Sequence, residues 1–249
     1  MDAQIKINSG ESKILSYILD TMEFLFHNLD TKLNSSQFDV TSQLQKEPLL
    51  KKTAYLLETL CSFMTNLTVN AEFRVKFKSS DRAKNLILTF GRFLSRKLIY
   101  GSFGNFADLY ERICGLLINL NIEEDLTESY LQANLDNAML SFWLLLKGIL
   151  TESKGDTYRK LREGYVPCVL RSLVMTQKFV KKDFSLIKAE SLSVFETILE
   201  LLKRIAPLYI STVNKKEEGE GEGEELRSIV NSSVKCISIV MNQFGKQTE

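Results

Sequence analysis

The sequence is poor in histidine, proline and tryptophan, and it carries almost no net charge. Its 249 residues include one histidine, three prolines and one tryptophan. A catalytic group that uses histidine would have to be built on His27, which follows Phe26 and is better explained as a side chain that covers apolar surface. The 32 Lys and Arg residues balance 31 Asp and Glu residues, for a formal charge of +1. Because no net positive field attracts phosphates, a nucleic-acid partner is disfavoured.

Long apolar runs are absent as well. The most apolar stretch, residues 138–150, contains Lys147 and is shorter than the roughly 20 residues that a membrane-spanning helix needs. The first eleven residues, MDAQIKINSGE, lack the apolar segment of a secretory signal. We therefore expect no membrane partner and no export.

The cysteines are few and widely separated. Cys61, Cys114, Cys168 and Cys236 occur singly, without a CxxC pair. Zinc sites need ligands at close spacing, and disulfide-rich domains need a higher density of cysteine. The pattern predicts four core thiols in a reducing compartment, the cytosol or the nucleus, and no metal or other cofactor.

Three other segments have both a functional and a structural interpretation. The acidic triplet at 123–125 suits the positive end of a helix better than a metal site, and GSFGNF at 101–106 lacks the Lys-Ser/Thr of a phosphate loop. Phe142 and Trp143 stand among leucines at helical spacing, which favours burial between helices. The stretches 91–101 and 177–184 interleave basic and aromatic residues, so contact with phosphates stays open there. None of these patterns indicates an enzyme.

Apolar residues recur at three-and-four spacing through most of the chain, which predicts amphipathic helices. No segment alternates with the period of a strand, so we predict an all-α fold. Residues 30–47 are predicted to be a loop, and the pattern breaks again at 99–106. The predicted helices cover residues 12–29, 48–67, 81–98, 107–121, 135–151, 167–177, 184–206 and 225–244, with a short segment NAEFRVKF at 70–77.

A charge-rich stretch interrupts the last part of the chain. KKEEGEGEGEE occupies residues 215–225, and acidic side chains together with glycine favour a solvated chain. We predict a disordered loop over 213–223 within a single domain that spans 1–249.

One segment of the sequence is repeated. ETLCSFMTNL from Glu58 and ERICGLLINL from Glu111 are 53 residues apart and share Glu, Cys, Asn and Leu at equal offsets, which pairs Asn66 with Asn119. A weaker copy, ETILELLKRI, starts at Glu196 and has Arg204 in the position of the Asn. Self-similarity of this kind indicates stacked helical units.

At these residues the chain resembles the armadillo family of helical repeats and, more loosely, the HEAT repeats. The resemblance rests on the apolar helices that end in Asn-Leu, on NAEFRVKF as a short first helix, and on the corner in LREGYVPCVL, where Gly164 ends one helix and Pro167 begins the next. It covers about residues 48–206 and implies a right-handed solenoid of about four irregular repeats. The 53-residue spacing exceeds the roughly 40–47 residues of these families.

The resemblance also implies a function. In armadillo proteins an Asn at this helix position lies on the concave face and hydrogen-bonds an extended peptide, so Asn66, Asn119 and, at the third position, Arg204 become candidate protein-binding residues. The alternative is that the Asn side chains satisfy groups at helix ends. We therefore predict a non-enzymatic scaffold or adaptor that binds a protein or an extended peptide segment. A co-chaperone that engages client proteins during myosin or dynein assembly is the second hypothesis.

Overall fold

The computed structural model describes residues 13–33, 48–96, 103–121, 129–152, 157–162, 164–180, 185–215 and 220–245. Within these ranges every regular element is a helix, so the predicted all-α fold class is confirmed. The ten α-helices are α1 (Lys13–Leu33), α2 (Pro48–Leu67), α3 (Ala71–Ser79), α4 (Asp81–Leu94), α5 (Ala107–Asn119), α6 (Ser129–Glu152), α7 (Thr157–Arg162), α8 (Val166–Val180), α9 (Ser185–Lys215) and α10 (Glu220–Gly245), with one 3-10 turn at Phe103–Asn105.

Contacts between the longer helices divide them into two series. In the first series α1 packs on α4, α4 on α6 and α6 on α9, and in the second α2 packs on α5, α5 on α8 and α8 on α10. The series contact each other through the pairs α1–α2, α4–α5, α6–α8 and α9–α10. The short helix α3 packs on α4, and α7 contacts α6 and α9. Each unit along the chain thus adds one helix to each series.

A single apolar cluster runs through all of these pairs. Aromatic rings join neighbouring helices: Phe26 of α1 meets Phe90 and Phe93 of α4 edge to face, at 5.2 and 5.6 Å between ring centroids. Tyr110 of α5 stacks on Phe142 of α6 at 5.1 Å. Such pairs add about 0.5–1.5 kcal/mol to the burial of the rings themselves, so they help to fix how successive units are oriented.

The predicted Gly-Pro corner is present between α7 and α8. Gly164 has φ +107°, a backbone conformation that side chains disfavour and glycine adopts freely. Pro167 is the second residue of α8, where its missing N–H leaves no hydrogen bond unmade. The chain therefore turns sharply here, between two helices that pack on different neighbours.

Substituting the glycine of this corner has a predictable cost. We expect Gly164→Ala to destabilise the protein by about 1–2 kcal/mol, because alanine is strained at positive φ. The matched control is Gly148→Ala in α6, where an added Cβ meets nothing within 4 Å and alanine is expected to stabilise the helix by about 0.5–1 kcal/mol. Urea unfolding measures both. Changes of the same sign in the two variants would contradict this assignment.

The last two helices differ from prediction. The helix expected to end near residue 206 continues through Pro207 to Lys215, and α10 already begins at Glu220. Residues 213–215 and 220–223 of the predicted disordered loop are therefore helical. The reason is contact with α7: Arg162 lies 3.6 Å from Glu222, and Tyr158 donates a hydrogen bond of 2.9 Å to Glu225. Composition alone does not reveal such contacts.

At other boundaries the predictions were closer. α1 runs four residues beyond the predicted end at 29, and α6 begins at Ser129 instead of 135. Most of the predicted loop at 30–47 lies outside the described residues. No helix in the described ranges combines the length and the hydropathy needed to cross a bilayer.

Candidate protein-binding surface

The two copies of the repeated segment form neighbouring helices of the second series. Glu58 to Leu67 belongs to α2 and Glu111 to Asn119 belongs to α5, and these helices pack on each other. Their shared cysteines, Cys61 and Cys114, are both fully buried. The repeat therefore reflects one shared environment: an apolar stripe that faces the core.

The paired asparagines do not share an environment. Asn119 is half-buried, and its Nδ2 donates a hydrogen bond of 3.1 Å to the carbonyl oxygen of Thr65 at the end of α2. Asn66 is exposed, and its side chain makes no hydrogen bond to the described part of the chain. Asn119 thus connects two units, as the structural alternative expects, and Asn66 alone of the two presents its amide to solvent.

Lys178 makes the equivalent connection one unit further along. Its Nζ donates to the carbonyl oxygen of Ile118 at 3.3 Å and to Oδ1 of Asn121 at 3.0 Å. These acceptors lie at the carboxyl end of α5, where a positive charge is favourable. Sequence reasoning placed Lys178 only in a basic-aromatic stretch that suggested phosphate contact. The signal that it missed is the spacing: 60 residues separate Ile118 from Lys178, close to the 54 between Thr65 and Asn119.

Further polar contacts join α5, α8 and α10. Glu111, 8% exposed, accepts a hydrogen bond of 2.8 Å from Nε of Arg171. The hydroxyls of Tyr110 and Ser172 lie 2.9 Å apart in the core. Gln177 of α8 donates to the carbonyl oxygen of Ser232 in α10 at 2.9 Å. These bonds satisfy buried polar groups and fix the register of the second series.

Arg204, the third candidate, belongs to the first series. It lies on α9, so it is not in line with Asn66 and Asn119 on α2 and α5. Its Nε donates to Glu200 at 2.8 Å and its Nη1 donates to Thr157 of α7 at 3.1 Å. The guanidinium is therefore held in one position across the junction of two helices.

A recess between α6 and α9 surrounds this arginine. Its volume is about 420 Å³, and its polar lining comprises Lys147, Thr151, Glu196, Thr197, Glu200, Lys203 and Arg204, with Leu150 and Leu199 between them. Lys147 of α6 lies 4.0 Å from Glu196 of α9. Exposed ion pairs of this kind contribute little to stability, so their charges are available to a bound group that offers a better geometry.

The carboxyl group of Asp136 is buried without an ion-pair partner. Asp136 of α6 is 2% exposed, and its Oδ1 has no hydrogen-bond partner. Burial raises the pKa of this carboxyl to about 7. At neutral pH the fold therefore holds a carboxylate in surroundings that favour its protonated form.

The remaining sequence candidates are structural or solvent-exposed. His27 is exposed on α1, and Trp143 is buried and donates to Thr176 Oγ1 at 3.1 Å. Phe103 of the glycine-containing segment is buried against Tyr110. The acidic triplet at 123–125 lies outside the described residues. Among the residues that the structure does describe, no group of three His, Cys, Asp or Glu side chains is placed to hold a metal ion.

All four cysteines are buried and unpaired, as the sequence predicted. Burial raises the pKa of Cys114 and of Cys236 to about 12, and it raises the pKa of Cys61 and Cys168 as well. Because the thiolate is the reactive form, we expect native protein to release almost no thionitrobenzoate from Ellman's reagent at pH 8, and urea-unfolded protein to release four equivalents. Rapid reaction of any thiol in the native state would contradict the burial.

The asparagine pair allows a second test. We expect Asn119→Ala to lower the free energy of unfolding by about 1 kcal/mol, since it removes a hydrogen bond between helices. Asn66→Ala is the matched control at the equivalent position of α2, with an expected change within about 0.5 kcal/mol. Equal effects of the two substitutions on urea unfolding would show that the asparagines are equivalent after all.

No protein-family model, curated protein or solved structure matches this chain.

Proposed function

We propose that the chain is a non-enzymatic scaffold whose helices form an armadillo-like stack of about four units, and that it binds a segment of another protein. The observation that carries the proposal is the contact order, in which each helix of a series packs on the preceding and the following one. Stacked helical pairs of this kind offer long, open surfaces that suit extended partners.

The recess around Arg204 is the best place on this surface for a partner side chain. Lys203 and Lys147 offer positive charge, Glu196 and Glu200 offer negative charge, and Leu150 offers apolar surface between them. This combination suits a peptide segment in which an apolar side chain lies between an acidic and a basic residue. Arg204 is already held by Glu200 and Thr157, so little side-chain entropy is lost when it binds.

Site-specific photo-crosslinking tests this proposal. A photoreactive amino acid replaces Lys203 or Lys147, and the matched control replaces Lys235, an exposed lysine of α10. We expect the two recess positions to capture the same protein in cell extract and the control not to capture it. An excess of unlabelled protein, but not of a Glu196→Lys/Glu200→Lys variant, should suppress the adduct. Equal capture from all three positions, or capture that this variant also suppresses, would contradict a specific site.

The co-chaperone hypothesis is the second proposal. It is favoured by two large apolar side chains on α1, Tyr17 and Phe24, which are 74% and 64% exposed and suit contact with unfolded clients. Under this hypothesis the purified protein delays the heat aggregation of a model client such as citrate synthase, and Tyr17→Ser/Phe24→Ser removes the effect. Aggregation at an unchanged rate would eliminate it.

A further inference from the structure

The second series ends on a helix with a bare apolar flank. On α2 the residues Leu49, Leu56 and Phe63 are 72%, 43% and 45% exposed, and the half-buried Leu60 and Leu67 complete the row. At 3.6 residues per turn the three exposed members lie about 160–180° around the helix from Thr65, whose carbonyl oxygen binds Asn119 of α5. The row therefore faces away from the neighbouring helix of the series.

The other end of the series has the same property. On α10 the residues Val234 and Met241 are 51% and 59% exposed, and the half-buried Val230 and Ile237 lie in line with them. The two exposed residues lie about 160–180° around the helix from Ser232, whose carbonyl oxygen binds Gln177 of α8. Both rows have the three-and-four spacing with which helices pack side by side.

Inside the molecule, helices of the series cover each other on these flanks. α5 lies between α2 and α8, and α8 lies between α5 and α10. Every contact within the series joins the later flank of one helix to the earlier flank of the next. The bare flanks of α2 and α10 are the two halves of one further contact of the same kind, and both halves belong to one chain.

The exposed area agrees with a real interface. With about 200 Å² for each large side chain, the exposed fractions of Leu49, Leu56, Phe63 and of Ile14 on α1, itself 72% exposed, amount to roughly 450 Å². A stable interface buries about 800 Å² on each partner, and somewhat more than half of that is apolar. The end of the stack thus offers the apolar area that one partner surface needs.

We infer that the chain self-associates head to tail, with the α10 flank of one copy packed on the α2 flank of the next. The rule that joins units within the chain then also joins chains. Because this interface is heterologous and does not close on itself, it generates a series of oligomers that lengthens with concentration. This inference is independent of the partner proposed above.

Sedimentation velocity of two double variants tests the interface. Leu49→Glu/Leu56→Glu disables the α2 flank, and Val234→Glu/Met241→Glu disables the α10 flank. The average mass of the wild-type protein should rise with concentration, and each variant alone should stay monomeric. An equimolar mixture of the two should form dimers that grow no further, since the mixture retains one intact flank of each kind. Tyr55→Glu on α2 and Lys235→Glu on α10, both at exposed positions outside the rows, should associate like the wild type.

Three results would overturn the inference. The first is a wild-type protein that remains monomeric at every concentration. The second is a single double variant that still dimerises, which would indicate a symmetric contact through one flank. The third is an equimolar mixture that remains monomeric although circular dichroism shows both variants to be folded.

Discussion

Asp136→Asn stabilises the protein at pH 8 by about 2–4 kcal/mol and has a much smaller effect at pH 4. The shift of the pKa from 3.8 to about 7 sets this size, because each unit corresponds to about 1.4 kcal/mol. Asparagine has nearly the same shape and bears no charge, so it avoids the desolvation of a buried carboxylate. Few single substitutions increase stability by this much.

The sign of the pH dependence follows from linkage. Between pH 4 and pH 7 the folded protein holds a proton on Asp136 that the unfolded chain has released, so the wild type loses stability as the pH rises through this window. Below pH 4 both states are protonated, and above pH 7 the full penalty is present. The variant lacks this dependence at residue 136.

Urea unfolding of the wild type and the variant from pH 4 to pH 9 measures the difference. Glu152→Gln is the matched control, since this carboxylate is exposed in the same helix α6, and it should change the free energy of unfolding by less than about 0.5 kcal/mol at every pH. A gain for Asp136→Asn that is the same at pH 4 and pH 8 would show that burial of charge is not its cause.

Trp143→Ala produces the largest expected loss, about 3–5 kcal/mol. The indole is 1% exposed and occupies the junction of α6 and α8, where it also donates to Thr176. Truncation leaves a cavity that the surrounding helices cannot fill completely, and it removes a bond between the two series. The matched control is the next residue along, Leu144→Ala, which is 52% exposed and should cost less than about 1 kcal/mol.

Thermal and urea unfolding measure both effects. Trp143→Phe separates the two contributions, because it keeps most of the apolar volume and removes only the N–H donor, for an expected loss of about 1–2 kcal/mol. A Trp143→Ala variant as stable as Leu144→Ala would mean that the indole is not in the core.

The positions of the helices and most of the core were predictable because they depend on local patterns. The stripe that contains Cys61 and Cys114 recurs at a fixed offset, and its burial follows from the period of the helix. The corner at Gly164 was predictable for a similar reason, since one backbone conformation and one imino acid determine it. These features need no knowledge of what lies opposite in space.

The features that the sequence did not predict depend on distant partners. Asn119 and Asn66 occupy equal positions in their repeats, yet only Asn119 faces the end of a preceding unit, because the preceding neighbour of α2 in the same series is missing from the fold. Lys178 lies in a basic stretch, and its role depends on the carbonyl of Ile118, which lies 60 residues earlier. The charges of Glu222 and Glu225 suggested a solvated loop until Arg162 and Tyr158 of α7 were placed beside them.

The distance between the first and last helices of the second series tests the central claim most directly. Spin labels at Asn66 of α2 and Lys235 of α10 lie at similar heights, because Thr65, Asn119, Lys178, Gln177 and Ser232 connect the four helices level by level. Three packing steps of about 8–10 Å each predict roughly 25–30 Å between the two helix axes, which pulsed electron paramagnetic resonance resolves. A distance of about 10 Å, as between packed neighbours, would mean that α10 returns to α2 in a closed bundle and would contradict the stack.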